Sequence, residues 1–450
     1  MPVLFLIFKF NMLSDNLQDM SFCLRKGMIV LIAAFILTRI PCYPADSFSK
    51  EEQEEAALSY VRNMSPEDAA SQLFLVNIEG STVFNAVESY ADIYPELESE
   101  KEKLSARVLV PGGCLFFSYN IGESAVQVMH YIESIKKVYD DSGLPFPIIA
   151  VDQEGGVVNR LRSVTSPLPS SQKTASVLSP SEAERLYFFQ AEQMKALGFT
   201  MNLSPVAEPL VEENRDFLLT RSFGSPAKTV AYCIAQINAF EASGICTVVK
   251  HFPGNTNTDP HTGLPEITVP ESEFYRVYLK PFEFILTVSP GAVLMSHARV
   301  AFSEVNEPAA LSSYWITEKL KNEYLYDGLV ISDDIFMAAL SRNGFPPETA
   351  AVKAVEAGTD IIMLSEKRFA SALRVLLDKA ASDESFRNRL EKSEQRVILS
   401  KIHYGILECY RNEDGKVCVR NKKDEMPERK RLDVFLESYE SGMNFYRKNF

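Results

Sequence analysis

Thr247-Val248-Val249-Lys250-His251-Phe252-Pro253-Gly254 is the stretch of this 450-residue chain that decides its fold. Thr247-Val248-Val249 is β-branched throughout and reads as a buried strand. It runs straight into a lysine and a histidine and then opens into a Gly/Pro loop. Ionisable groups at the end of a buried strand stand where α/β proteins place their chemistry. The loop continues as Asp259-Pro260-His261-Thr262-Gly263-Leu264-Pro265 and carries a second of the chain's five histidines. A turn-rich loop with incidental charges is the plainer alternative, but turns need neither histidine nor lysine.

Seven further apolar runs flank this one. Before it come Leu73-Phe74-Leu75-Val76, Cys114-Leu115-Phe116-Phe117, Pro147-Ile148-Ile149-Ala150-Val151 and Met201-Asn202-Leu203-Ser204. After it come Ala292-Val293-Leu294-Met295, Gly328-Leu329-Val330-Ile331 and Asp360-Ile361-Ile362-Met363-Leu364. The runs are near-continuous, as strands buried on both faces should be. Amphipathic segments fill the gaps: Ser181 to Leu197 before Gly198, Ala227 to Ser243 before Gly244, and Pro347 to Ala357 before Gly358, each with glycine as its stop. Eight strands alternating with helices predict an α/β fold, a (β/α)₈ TIM barrel. A doubly wound open sheet is the alternative, but no Gly-x-Gly-x-x-Gly follows the first run. Polar groups gather where the runs end: Asp152-Gln153-Glu154 after the third, Lys250-His251 at the fifth, Ser296-His297 after the sixth and Ser332-Asp333-Asp334 after the seventh. In a barrel that end is the reactive face.

Composition bounds the rest. The net charge of −14 argues against nucleic acid or an anionic membrane as a general partner. Arg25-Lys26 followed by the apolar run Met28 to Leu37 has the form of a secretory signal and is short for a membrane span. Residues 1–45 are therefore expected to be a signal or anchor segment. The chain is expected to be exported, either periplasmic or attached to the cell envelope through that segment, with Cys42 a lesser candidate for lipidation. Residues 46–405 form the single expected catalytic domain. Residues 406–450 form a charged extension, solvated at first and then a short amphipathic helix from Leu432 to Tyr446. None of the seven cysteines forms a Cys-x-x-Cys pair, so no zinc site is expected. Cys409 and Cys418 flank the turn signal Asp414-Gly415 and are candidates to pair in an oxidising compartment. A monomer is expected.

Five ordered motifs resemble glycoside hydrolase family 3, in its bacterial β-N-acetylglucosaminidase branch, across residues 55 to 370. They are Asp152-Gln153-Glu154-Gly155-Gly156 with Arg160, Asn202-Leu203-Ser204-Pro205-Val206, Arg221-Ser222-Phe223-Gly224, Lys250-His251-Phe252-Pro253-Gly254, and Val330-Ile331-Ser332-Asp333-Asp334. The resemblance implies Asp333 as nucleophile and His261, paired with Asp259, as acid and base. It implies that Asp152, Arg160, Arg221, Lys250 and His251 grip sugar hydroxyls. Arg160 and Arg221 have an alternative as structural partners of barrel carboxylates. Glu154 is read as a structural ligand of its loop, and His297 as a core or site-lining residue.

The implied substrate is a small glycan, with no metal or organic cofactor. The chemistry suits the residues: a retaining glycosidase needs an attacking carboxylate and a group that protonates the leaving oxygen, and a histidine can give and take that proton in turn. Two enzymatic alternatives, a β-glucosidase and a sugar phosphorylase, stay open, as does a non-catalytic glycan-binding protein. There is one departure. Where the family continues K-H-F-P-G with H-G-D-T and then D-S-H, this chain has Asn255-Thr256-Asn257-Thr258 and then Asp259-Pro260-His261. The loop is two residues shorter and lacks one histidine and one aspartate.

Overall fold

The computed structural model describes residues 48–259, 263–303 and 307–450. The expected signal segment and His261 lie outside these residues. The eight apolar runs are eight strands: β1 (Phe74–Asn77), β2 (Gly113–Phe116), β3 (Ile148–Val151), β4 (Met201–Asn202), β5 (Cys246–Phe252), β6 (Ala292–Met295), β7 (Leu329–Ile331) and β8 (Ile362–Leu364). All neighbours pair in parallel, and β8 pairs with β1. The Ile331–Ile361 bridge brings β7 to the start of β8, so the sheet curls into the expected barrel. Apart from its loops every strand residue is buried, because strand interiors fill the barrel while their outer faces meet helices.

The longer helices are α1 (Lys50–Arg62), α2 (Ala125–Asp141), α3 (Pro180–Leu197), α4 (Pro226–Ala242), α5 (Pro347–Ala357), α6 (Ala370–Ser382), α7 (Glu384–His403) and α8 (Glu428–Asn449). Serine hydroxyls cap the starts of α2, α3 and α4, and glycine closes α3 and α5. In α3, Ser179 and Glu182 form a reciprocal capping box, and Gly198 closes the other end at φ +105°, a left-handed conformation costly for a side chain with Cβ.

The extension differs in part from its reading. Its charged side chains are mostly exposed, as expected. Its backbone, however, forms an antiparallel hairpin, β9 (Leu407–Arg411) with β10 (Val417–Asn421), turned at Gly415 with φ +78°. Leu407 and Val419 pack against Ala56, Ala57 and Val61 of α1. The hairpin register sets Cys409 opposite Val419 and Cys418 opposite Tyr410. Side chains alternate faces along a strand, so the two thiols point to opposite faces and are not bonded. Helix α8 starts earlier than the apolar pattern suggested and lies along α3. Its Gly442 sits so close to Ser166 that a Cβ there would stand 2.4 Å from the serine Oγ.

Candidate active site

The polar groups predicted to cluster do stand at one end of the barrel, where β3, β4, β5, β6 and β7 finish. Glu154, in the short extended segment Gln153–Gly155 that follows β3, is buried at the centre of an ionic network. Arg221 meets it with two parallel bonds, Nε to Oε2 at 2.8 Å and Nη2 to Oε1 at 2.9 Å. The Lys250 Nζ lies 2.6 Å from Glu154 Oε1 and donates to Asp152 Oδ1 at 2.7 Å. Burial alone would raise the Glu154 carboxyl, but Arg221 and Lys250 hold it far below the usual range. Burial works against the charges of Lys250 and Arg221 too. Asp152 and Glu154 raise the lysine, Glu154 raises the arginine, and both stay cationic. Four charges are thus locked in one ionised group. Glu154 has the structural role read from the sequence. Arg221 makes the ion pair with a barrel carboxylate that was its alternative. Lys250 places Asp152, which is half-buried and faces outward.

Three groups border this network. His251 sits at the end of β5, with Nδ1 2.6 Å from Oε1 of Glu208, a residue buried on the loop after β4. Its ring lies edge-on to Phe217, which also lies under the Arg221 guanidinium at 5.6 Å. The Arg160 guanidinium lies 5.7 Å from the Phe117 ring centroid, and its Nε is buried without a hydrogen-bond partner. Sequence reading missed Glu208, Phe117 and Phe217. Glu208 could have been suspected as an acid three residues past Pro205 at the end of the fourth run.

At the end of β7 two adjacent carboxylates have different surroundings. Asp334 is taken up by the backbone: its Oδ1 accepts from the Phe336 and Ser365 amides at 3.0 and 3.1 Å, and its carbonyl accepts from His297 Nε2 at 2.9 Å. Asp333 is also buried, but among the described residues only the Asp334 amide bonds it, to Oδ1 at 2.9 Å. The His297 bond fixes its Nε2 as the protonated nitrogen and leaves Nδ1 buried without a partner. Asp259 is exposed on the loop after β5, and its carbonyl accepts from the Gly263 amide at 3.0 Å. Among the described residues no three His, Cys, Asp or Glu converge as metal ligands.

A carboxylate held by one amide, at the same end of the barrel as a fixed network of opposite charges, is an arrangement able to attack an electron-poor carbon while polar neighbours bind hydroxyls. The sequence model of the glycosyl hydrolase family 3 N terminal domain matches residues 70–399. A beta-hexosaminidase of Psychromonas ingrahamii is 31% identical over 319 residues, covering 68% of this chain and 90% of that protein. Beta-hexosaminidase A of Pseudoalteromonas piscicida is 26% identical over 318 residues, and the chain spans only 53% of its length. The structure of a glycoside hydrolase family 3 beta-N-acetylglucosaminidase from Paenibacillus sp. str. FPU-7 superposes with TM-score 0.64 and 26% identity, over 84% of this chain and 69% of that one.

Proposed function

Because the chain belongs to glycosyl hydrolase family 3, we propose that it is a retaining, exo-acting β-N-acetylglucosaminidase that removes terminal N-acetylglucosamine from cell-wall or chitin-derived glycans. The observation that carries this reading is the contrast between Asp333 and Asp334. The second is held by two backbone amides and the His297 ring, while the first keeps an oxygen available at the reactive end of the barrel. In this reading Asp333 attacks the anomeric carbon and forms a glycosyl ester as the leaving oxygen takes a proton from His261. Asp259 orients that ring and favours its cation. Water then gives a proton back to His261, attacks the same carbon, and releases Asp333 with the configuration retained. Asp152, held by Lys250, and Arg160 and His251 bind the sugar's hydroxyls, with Arg221 acting through Glu154. The printed names of the relatives support the acetamido sugar as substrate. Export to the cell envelope belongs to the same proposal and rests on Arg25-Lys26 and the apolar run after them; no described helix is long and apolar enough to cross a membrane.

The test is initial rates of the full chain on aryl β-N-acetylglucosaminide and aryl β-glucoside, with and without phosphate, alongside Asp333→Ala. Turnover of the acetamido sugar alone, independent of phosphate and reduced by more than about 10³-fold in the variant, is expected. Acceleration by phosphate would reassign the chain as a phosphorylase. Folded protein without turnover on either sugar would make it a glycan-binding protein.

A further inference from the structure

Beyond the ionic network, the reactive end carries an aromatic strip on the turn after β2. Phe117 is half-buried, and its ring centroid stands 5.7 Å from the Arg160 guanidinium. The Tyr119 ring lies 6.1 Å from that of Phe117, tilted by 43°, and the residue is 52% exposed. The strip thus runs from Arg160, where the terminal sugar is read to bind, out to solvent. A single exposed aromatic ring on a surface is ordinary, but this one is held in place. Its hydroxyl donates to Asn77 Oδ1 at the end of β1. Asn77 is itself fixed, because its Nδ2 donates to the Leu115 carbonyl at 3.0 Å. The buried Asn120 pins the turn from below. Its Oδ1 accepts from the Phe117 amide at 2.8 Å, and its Nδ2 donates to the Ile78 and Gly80 carbonyls at 2.9 and 2.7 Å. Lys367 Nζ lies 5.4 Å from the centroid of the Tyr119 ring and pairs with Glu79.

We propose that Tyr119, with Phe117 beside it, is the stacking platform for the second sugar of the substrate, the unit that departs when the terminal sugar is removed. In an exo-acting site the terminal sugar fills the polar pocket, and the rest of the glycan has to pass over the rim. A pyranose ring presents an apolar C–H face and a polar edge. A tyrosine ring covers that face over a large area, and it loses little conformational freedom on binding because its hydroxyl is already tethered. Lys367 and Glu79 form a pair of opposite sign beside the ring. They offer a donor and an acceptor to the sugar's polar edge and add no net charge. The platform therefore favours a second pyranose over a small or acyclic leaving group. The proposal rests on the glycosidase reading above.

The experiment compares the full-length wild type, Tyr119→Ala and Tyr119→Phe on two substrates with the same terminal sugar. One is N,N′-diacetylchitobiose, whose leaving unit is a pyranose. The other is methyl β-N-acetylglucosaminide, whose leaving unit has no ring. Both depart as alcohols that need a proton, so the acid–base step is common to them. Contact with the leaving sugar exists before and during bond cleavage, so its loss shows in KM. Tyr119→Ala is expected to raise KM for the chitobiose by about 10-fold with kcat within about 3-fold, and to lower kcat/KM on the methyl glycoside by less than about 3-fold. Tyr119→Phe keeps the ring and loses only the bond to Asn77, and is expected to stay within about 3-fold of wild type on both. Equal losses on both substrates would mean that alanine loosens the site as a whole and would overturn the proposal, as would no loss on either. A Tyr119→Phe as impaired as Tyr119→Ala would assign the effect to the tether and overturn the stacking role too. Wild-type protein inactive on both substrates, or an active Asp333→Ala, would instead bring down the glycosidase reading and the proposal with it.

Discussion

The two ends of the barrel bury carboxylates by the same physics and to different effect. At the end where the strands finish, Glu154 is matched by Arg221 and Lys250, and the lysine reaches on to Asp152, which faces outward. Where the strands begin, Asp360 is wholly buried before β8 and is met by Lys321, Arg389 and Arg396. Burial alone would raise it, but these three cations hold it down at about 2. It also accepts from the Val330 amide at 3.0 Å, and Arg396 continues to the Gly328 carbonyl at 2.5 Å. Its contacts tie Arg389 and Arg396 of α7, and Lys321, to the barrel floor. At the other end Arg160 Nε, Glu208 Oε2, Asn255 Nδ2 and His297 Nδ1 are buried without partners, as is Thr359 Oγ1 beside Asp360. Buried polar groups are normally satisfied, and the four at the reactive end stand next to the ionic network, where a bound hydroxylated ligand could meet them.

Substitutions at the two carboxylates should separate these roles. Glu154→Gln leaves Arg221 and Lys250 facing a neutral amide, and breaking such a buried pair costs about 3–5 kcal/mol. It also frees the lysine that sets Asp152, so kcat/KM should fall by on the order of 10²-fold. Asp360→Asn should cost a similar 3–5 kcal/mol in urea unfolding, while the protein that remains folded keeps its kcat within about 3-fold, because no site residue touches Asp360. Equal activity losses in both variants would erase the distinction between the ends. Acid sharpens it. A carboxyl depressed in the fold contributes stability above its unfolded pKa of about 3.9 and loses it as pH falls towards the folded value. The wild-type stability curve should therefore drop as pH falls from about 4 towards 2, and Asp360→Asn should flatten that drop.

The reactive end was far more legible in the sequence than its opposite. Buried strands show as continuous apolar runs, and all eight runs became strands. The polar residues that follow such runs had to share a face once the barrel closed, which brought Asp152, Lys250, His251 and Asp333 to one end. Glu208, Phe117 and Phe217 escaped because their places at the site depend on which loops the barrel sets side by side, and no period records that. Asp360 was legible only as the first residue of a strand, since its charged partners come from helices about thirty to forty residues away on either side. The hairpin near the C-terminus had its turn signal in Asp414-Gly415. Charged side chains hid its strands, because a two-stranded ribbon on the surface needs one apolar face only.

Glu241 offers the smallest effect and the finest test of the comparison. It closes α4 at the floor of the barrel and accepts from the Thr247 amide and hydroxyl at 2.9 and 2.5 Å, the Gly291 amide at 3.0 Å and the Tyr404 hydroxyl at 2.9 Å. No cation meets it among these partners, and burial outweighs the four donors, so its carboxyl is raised. The sign is then opposite to that of Asp360. The fold holds the proton more tightly than the unfolded chain does, so stability is greatest below the unfolded pKa of about 4.3 and declines as pH rises through the folded value. Glu241→Gln preserves the shape and removes the charge. Its amide oxygen can keep the Thr247 and Gly291 bonds, and its NH₂ can donate to the Tyr404 hydroxyl in place of receiving from it. Urea unfolding across pH 4 to 7 should show the variant losing less stability than the wild type as pH rises, with kcat unchanged. A variant curve parallel to the wild type would mean that Glu241 titrates alike folded and unfolded, its four donors fully offsetting burial as the cations do at Glu154 and Asp360.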